Sequence, residues 1–255
     1  YKKWVIVMNY ANFEKEIYGN GGETVQSIYE KLEKLAGSKV KGSILWMVFG
    51  LLMTGITGFL FINSLMRGII PVDIVGIIII VAIVMELITV IAFSALTYKA
   101  SAGALKAMFI FYSLLNGITL SVLAFTYEIN IIINAFVGTV LLFTVLAIYG
   151  YAPKEDLSKY SSILKAGLIA LILMGIVNIF LKSDGVMWIS SILGVVIFII
   201  FIAVDVNRIK NNVLYYAINE DMSIVDKIEI HGALSLYLDF INLFIYILRI
   251  LGRKR

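Results

Sequence analysis

An all-α membrane protein of about seven transmembrane helices is the fold class this sequence predicts, on three observations. Hydrophobic residues fill 61% of the 255 positions and charged residues only 15%, where a soluble domain sits nearer half apolar and a quarter charged. Mean hydropathy is +0.97. The apolar residues arrive in long uninterrupted blocks instead of at the periodicity of a globular core, and a span needs roughly 20 of them to cross about 30 Å of hydrocarbon.

Residues 1–42 read as a charged N-terminal segment and 43–255 as one membrane domain. Within the first, TVQSIYEKLEKLAG, with Glu30, Lys31, Glu33 and Lys34, predicts a short surface or interfacial helix ending at Gly37. The blocks then fall at roughly 43–66, 73–97, 103–127, 130–150, 163–182, 187–207 and 231–251. Most connections are short and polar: RGIIPVD, TYKAS, YEIN, APKEDLSKY and KSDG. The stretch 208–230 reads as a longer charged loop. Trp46, Tyr98, Tyr127, Tyr149, Tyr151 and Trp188 sit near block ends, as an aromatic belt requires. Pro71 and Pro153 both fall in connections.

With no cysteine, disulfides and thiolate metal sites are excluded. The chain opens on a mixed-charge stretch, not a basic region followed by an apolar run, so no signal peptide is expected in it. The net charge of +4 is carried in loops, which points to membrane topology and lipid contact, not to nucleic acid. The N-terminal segment and the connections on its side hold Lys2, Lys3, Lys15, Lys31, Lys34, Lys39, Lys41, Lys99, Lys106, Lys154, Lys159, Lys165, Arg208, Lys210 and Lys227. Before the last block, the other side has Arg67 and Lys182. Positive charge stays inside, so a cytoplasmic N-terminus is expected. Seven full spans then place Arg249, Arg253, Lys254 and Arg255 outside. Either the last block crosses despite its basic end or it re-enters and returns.

Acids inside a span cost on the order of 3 kcal/mol each and face a bundle interior or water. Glu86 in block two, Asp205 late in block six and Asp239 in block seven are the candidates. Glu86 reads either as an acid paired with Lys99 or a backbone group, or as functional. In block seven Ser235, Asp239, Asn242, Tyr246 and Arg249 recur at spacings of four, three, four and three, which stack them on one helical face. A polar stripe on an oily helix belongs against protein or water, so this helix should be central; a packing seam of hydrogen bonds is the plainer reading. If tilt brings Asp205 and Asp239 to about 4 Å, their repulsion is about 4 kcal/mol at an effective dielectric near 20. The pair should then share a proton and titrate as a unit, giving a pH sensor and a hard oxygen site suited to Ca²⁺. Lys99 or Arg208 supplies the counter-charge when no cation is bound.

ALSLYLDFINLFIYILRILG resembles the C-terminal signature of the Bax inhibitor-1 (transmembrane BAX inhibitor motif) family. FIAVDVNRIK resembles that family's sixth-span ending, FYSLLNGITL its third span and YAPKEDLSKY its loop between spans four and five; the resemblance covers about 43–252. It implies a seven-helix fold with the last helix central and six wrapped around it. It also implies a pH-sensitive Ca²⁺ leak, with Asp205 and Asp239 matching the aspartate dyad that senses pH. Some bacterial members carry an arginine at the end of span two that latches the dyad, and Lys99 is the nearest match. Ser235, Asn242, Tyr246 and Glu86 fall along the implied ion path. The short loops resemble prokaryotic members, hence a plasma (inner) membrane location.

No enzyme or resident cofactor is expected. An intramembrane aspartyl protease also pairs two aspartates, but here the contexts are VDV and YLDF, with no GxGD and no proline after Pro153. A metal-dependent hydrolase needs several His or Cys ligands, and His231, the lone histidine, reads as an interfacial or capping residue before a second pH sensor. Block seven has no lysine for a retinal Schiff base. The remaining alternative is a non-conducting regulator that binds membrane proteases or cell-death proteins.

Overall fold

The computed structural model describes residues 25–152, 157–219 and 221–253. The basic positions Lys2, Lys3, Lys15, Lys154, Lys254 and Arg255, with Pro153, lie outside these. Seven helices among the described residues are long and apolar enough to cross a membrane. They are α1 (Val25–Met66), α2 (Val72–Leu96), α3 (Ala102–Leu120), α4 (Ile129–Tyr151), α5 (Ser161–Leu181), α6 (Asp184–Ile218) and α7 (Met222–Leu251). A one-turn helix, Leu123–Thr126, extends the third span, and a 3₁₀ turn, Leu157–Tyr160, leads into α5.

Local chemistry sets the boundaries. Gly68, at φ +68°, takes the left-handed turn after α1 that a side chain would resist. Ser101 caps α3 by accepting from the Ala104 N–H, and Asp221 caps α7 by accepting from Ile224. Between α5 and α6, Ser183 Oγ accepts from Val186 N–H while its own N–H donates to Asn178 Oδ1.

Two expectations need correction. Gly37 does not end a surface helix, because α1 runs through it without a break. Its missing side chain serves packing instead: a Cβ there would lie 2.9 Å from Tyr151 Oη. The charged loop expected over 208–230 is also mostly helix. α6 continues to Ile218 and α7 starts at Met222. At 1.5 Å per residue α1 is about 63 Å long and α6 about 52 Å, well beyond the hydrocarbon, so both project past it at one end.

Ion pairs hold these extensions together. Lys39 on α1 donates to Asp226 at 2.6 Å and to Glu229 at 2.8 Å on α7. Buried Lys210 on α6 lies 3.2 Å from Glu33 of α1 and 4.4 Å above the Tyr151 ring. Replacing Lys39 with Met should lower stability by about 1 kcal/mol, the upper range for such pairs, read as a lower Tm in detergent with an unchanged helical CD spectrum.

α7 packs against α6, α1, α4 and α3. Half of its most apolar window is buried within the protein, against 11% for α2 and for the span that includes α5, which lie outermost. α7 is one unbroken helix whose ends meet opposite ends of the bundle: Lys227 donates to the Tyr98 carbonyl and Arg253 lies over Trp188. The last block therefore crosses and does not re-enter.

Candidate functional site

The polar stripe of α7 lies along α6. Near one end the Tyr246 ring fills the space that a Cβ on Gly194 would need and sits 5.9 Å from the Phe198 ring. Asn242 turns its amide back to the Leu238 carbonyl, so that donor is spent within its own helix. Asp239 is 5% exposed and Asp205, across the seam on α6, 6%. The two acids lie within electrostatic reach, and the charges acting on Asp239 are those of Asp205 and Arg208. Asp205 Oδ1 and Asp239 Oδ2 each lack a hydrogen-bond partner among the described residues.

Arg208, one turn beyond Asp205, supplies the counter-charge. Its Nη1 is 2.8 Å from Asp205 Oδ1 without an aligned N–H, a charge contact and not a hydrogen bond. Its Nη2 donates to Ser161 Oγ at 2.6 Å, which ties the guanidinium to the start of α5. Lys99, the other counter-charge expected, is exposed in the turn after α2 and lies outside the cavity described next.

Above Asp205, at the end where the helices project, opens a cavity of about 430 Å³, within the range of small-ligand sites. Asp205, Arg208, Ser161, His231 and Ser235 line it, whereas Asp239 is sealed one helical turn below Ser235. His231 stacks on Phe93 at 6.1 Å and holds Nδ1 3.3 Å from Thr97 Oγ1, so it joins α7 to α2.

Glu86 belongs to a second polar cluster. Thr119 donates to it at 2.8 Å. Tyr237 Oη donates to Asn116 Oδ1 at 3.2 Å and lies 2.6 Å from Thr54 Oγ1. This cluster meets α7 at Tyr237, about 200° round the helix from Asp239, so the structure does not bring Glu86 to the acid seam. Tyr237, Asn116 and Ser161 were not singled out by sequence. A lone polar residue inside an apolar run, such as Asn116 or Tyr237, has no periodic mark, and Ser161 sits among other polar residues, so only packing reveals their partners.

A sequence profile described as "Inhibitor of apoptosis-promoting Bax1" matches residues 40–255. The chain belongs to the Bax inhibitor-1 family. It is 38% identical over 214 residues to the inner membrane protein YbhL of Escherichia coli K12, covering 82% of this chain and 89% of that one. An uncharacterized protein of Borreliella burgdorferi is 39% identical over 166 residues, 65% of this chain and 71% of its own. An uncharacterized membrane protein of Streptococcus pyogenes serotype M1 is 37% identical over 173 residues, 68% and 73% respectively. Both acids, Arg208 and the whole cavity fall inside the stretch shared with the Bax inhibitor-1 profile, and seven spans make this member a multi-pass integral membrane protein.

Proposed function

We propose that the protein is a proton-regulated Ca²⁺ leak of the plasma membrane, with Asp205 and Asp239 as its proton-binding gate. One observation carries this reading: two buried carboxylates on packed helices, each with an oxygen that accepts no hydrogen bond, lie within reach of one cation that acts on both, Arg208. Two ionised acids in so dry a place repel by kilocalories, so protons or cations must enter as charge is removed or added. With one acid ionised, Arg208 balances it. Loss of the second proton leaves a net negative charge, which favours entry of a hard cation.

The site suits passage more than retention. Stable Ca²⁺ sites take six to eight oxygens. Two carboxylates offer at most four, and no group of three or more His, Cys, Asp or Glu capable of holding a metal occurs among the described residues. The cavity leads from the lysine-rich end to Asp205, and the positive-inside rule makes that end cytoplasmic. Glu86, on the other side of α7, stands as a separate polar station.

Reconstitution tests it. In liposomes, Ca²⁺ flux is expected to rise several-fold from about pH 6 to about pH 8, as the proton shared by the acid pair leaves. Replacing Arg208 with Gln removes the balancing charge and should raise flux two- to threefold at about pH 8, an estimate of the effect of one partly exposed charge. Flux absent at every pH would leave the acids an assembly role, as in a regulator that binds other membrane proteins.

A further inference from the structure

We propose that the cavity above Asp205 binds a phosphate-type anion, carried either by an anionic phospholipid headgroup or by a free phosphorylated solute. Three helices contribute nitrogen-bearing side chains to its wall: Lys165 from α5, Arg208 from α6 and His231 from α7. Thr97, Ser161 and Asn212 add hydroxyl and amide groups. Against them, among the described residues, stands one lining carboxylate, Asp205, already matched by Arg208 at 2.8 Å. Among the described residues Lys165 is therefore surplus charge. It is exposed, and its electrostatic reach to Asp205 is its one interaction with the described residues.

Such a wall selects an anion by chemistry. A guanidinium binds phosphate oxygens as a planar fork and an ammonium binds them as a point charge, and the hydroxyls complete the remaining lone pairs. Location adds to this. The cavity lies at the end where α1 and α6 project beyond the hydrocarbon, the end that the positive-inside rule turns toward the cytosol and its leaflet. The volume of about 430 Å³ exceeds what a bare phosphate fills and leaves room for the ester-linked group it carries.

Occupancy has a consequence for the gate, and this part rests on the leak reading. An anion that engages the Arg208 arm now beside Asp205 withdraws that acid's counter-charge. Binding in the cavity and proton release below it are then linked, each altering the other equally.

The test uses the full chain and reads binding, not flux, so its failure is separable from failure of the leak reading. In one arm, inorganic phosphate is titrated into the detergent-purified protein against chloride at matched ionic strength, with phosphorus NMR as readout. In the other, the protein is placed in nanodiscs of phosphatidylcholine with and without phosphatidylglycerol, and retained lipid is counted by native mass spectrometry. Saturable phosphate binding, weakened about tenfold in Lys165→Ala as expected for one charge-assisted contact, supports the site with a soluble source. Retained phosphatidylglycerol that is lost in Lys165→Ala supports it with a lipid source. Lys99→Ala, exposed at the same end but outside the cavity, should match the wild type in both arms. No saturable binding in either arm, or equal binding by Lys165→Ala and wild type in both, overturns the proposal.

Discussion

Asp239→Asn is expected to yield a folded protein whose Ca²⁺ flux no longer changes between about pH 6 and about pH 8. The amide keeps the volume of the carboxyl but neither gains nor loses a proton. Asp205 would then be the one acid left in the pair, and any charge it carries is balanced by Arg208, 2.8 Å from it. The net negative charge that invites a cation would never form, so flux should stay at the level the wild type shows near pH 6. Stability should not suffer. An isolated buried charge is costly, and Asp239, with Oδ2 unpartnered, is such a group whenever it ionises. An unchanged or higher Tm together with a flat pH profile is the expected pair of results. A profile that still rises with pH in this variant places the sensor elsewhere and removes the acid pair from the mechanism.

Asp239 was legible because an acid inside HGALSLYLDFINLFIYILRIL stands out against apolar neighbours, and its spacing from Ser235 and Asn242 marks one helical face. The seven spans were legible for the same reason: bilayer thickness imposes a length on every block. Counter-charge assignment was not. Lys99 and Arg208 both follow a span end and both are basic, and only packing shows that Arg208 reaches back one turn to Asp205 while Lys99 is exposed outside the cavity. Nor was the helical character of 208–230 visible. Its polar residues look like loop until Lys39 is seen to hold Asp226 and Glu229, and Lys210 to hold Glu33, across three helices. Pairing between segments far apart in sequence leaves no local periodicity to read.

Tyr237→Ala should be the most destabilising single change, costing about 3–5 kcal/mol as large-to-small changes in packed cores do. The side chain is fully buried, its ring meeting Phe109 at 5.7 Å and Tyr112 at 5.8 Å edge to face. Truncation would leave a void between α7 and α3 and strip Asn116 of its donor. Tyr237→Phe separates these contributions. It keeps the ring contacts and removes the hydroxyl, so the loss should fall to about 1–3 kcal/mol, the cost of an acceptor left unpaired. Thermal unfolding in detergent would rank wild type above Phe and Phe above Ala; equal Tm values for Phe and Ala would mean that the hydroxyl, not the ring, dominates. The same Phe variant probes the gate. Tyr237 joins the Glu86 cluster on the face of α7 turned away from Asp239, so its flux should retain the wild-type pH profile despite lower stability. A flattened profile would instead make the two clusters one proton-coupled unit reaching through α7, with Glu86 as a member.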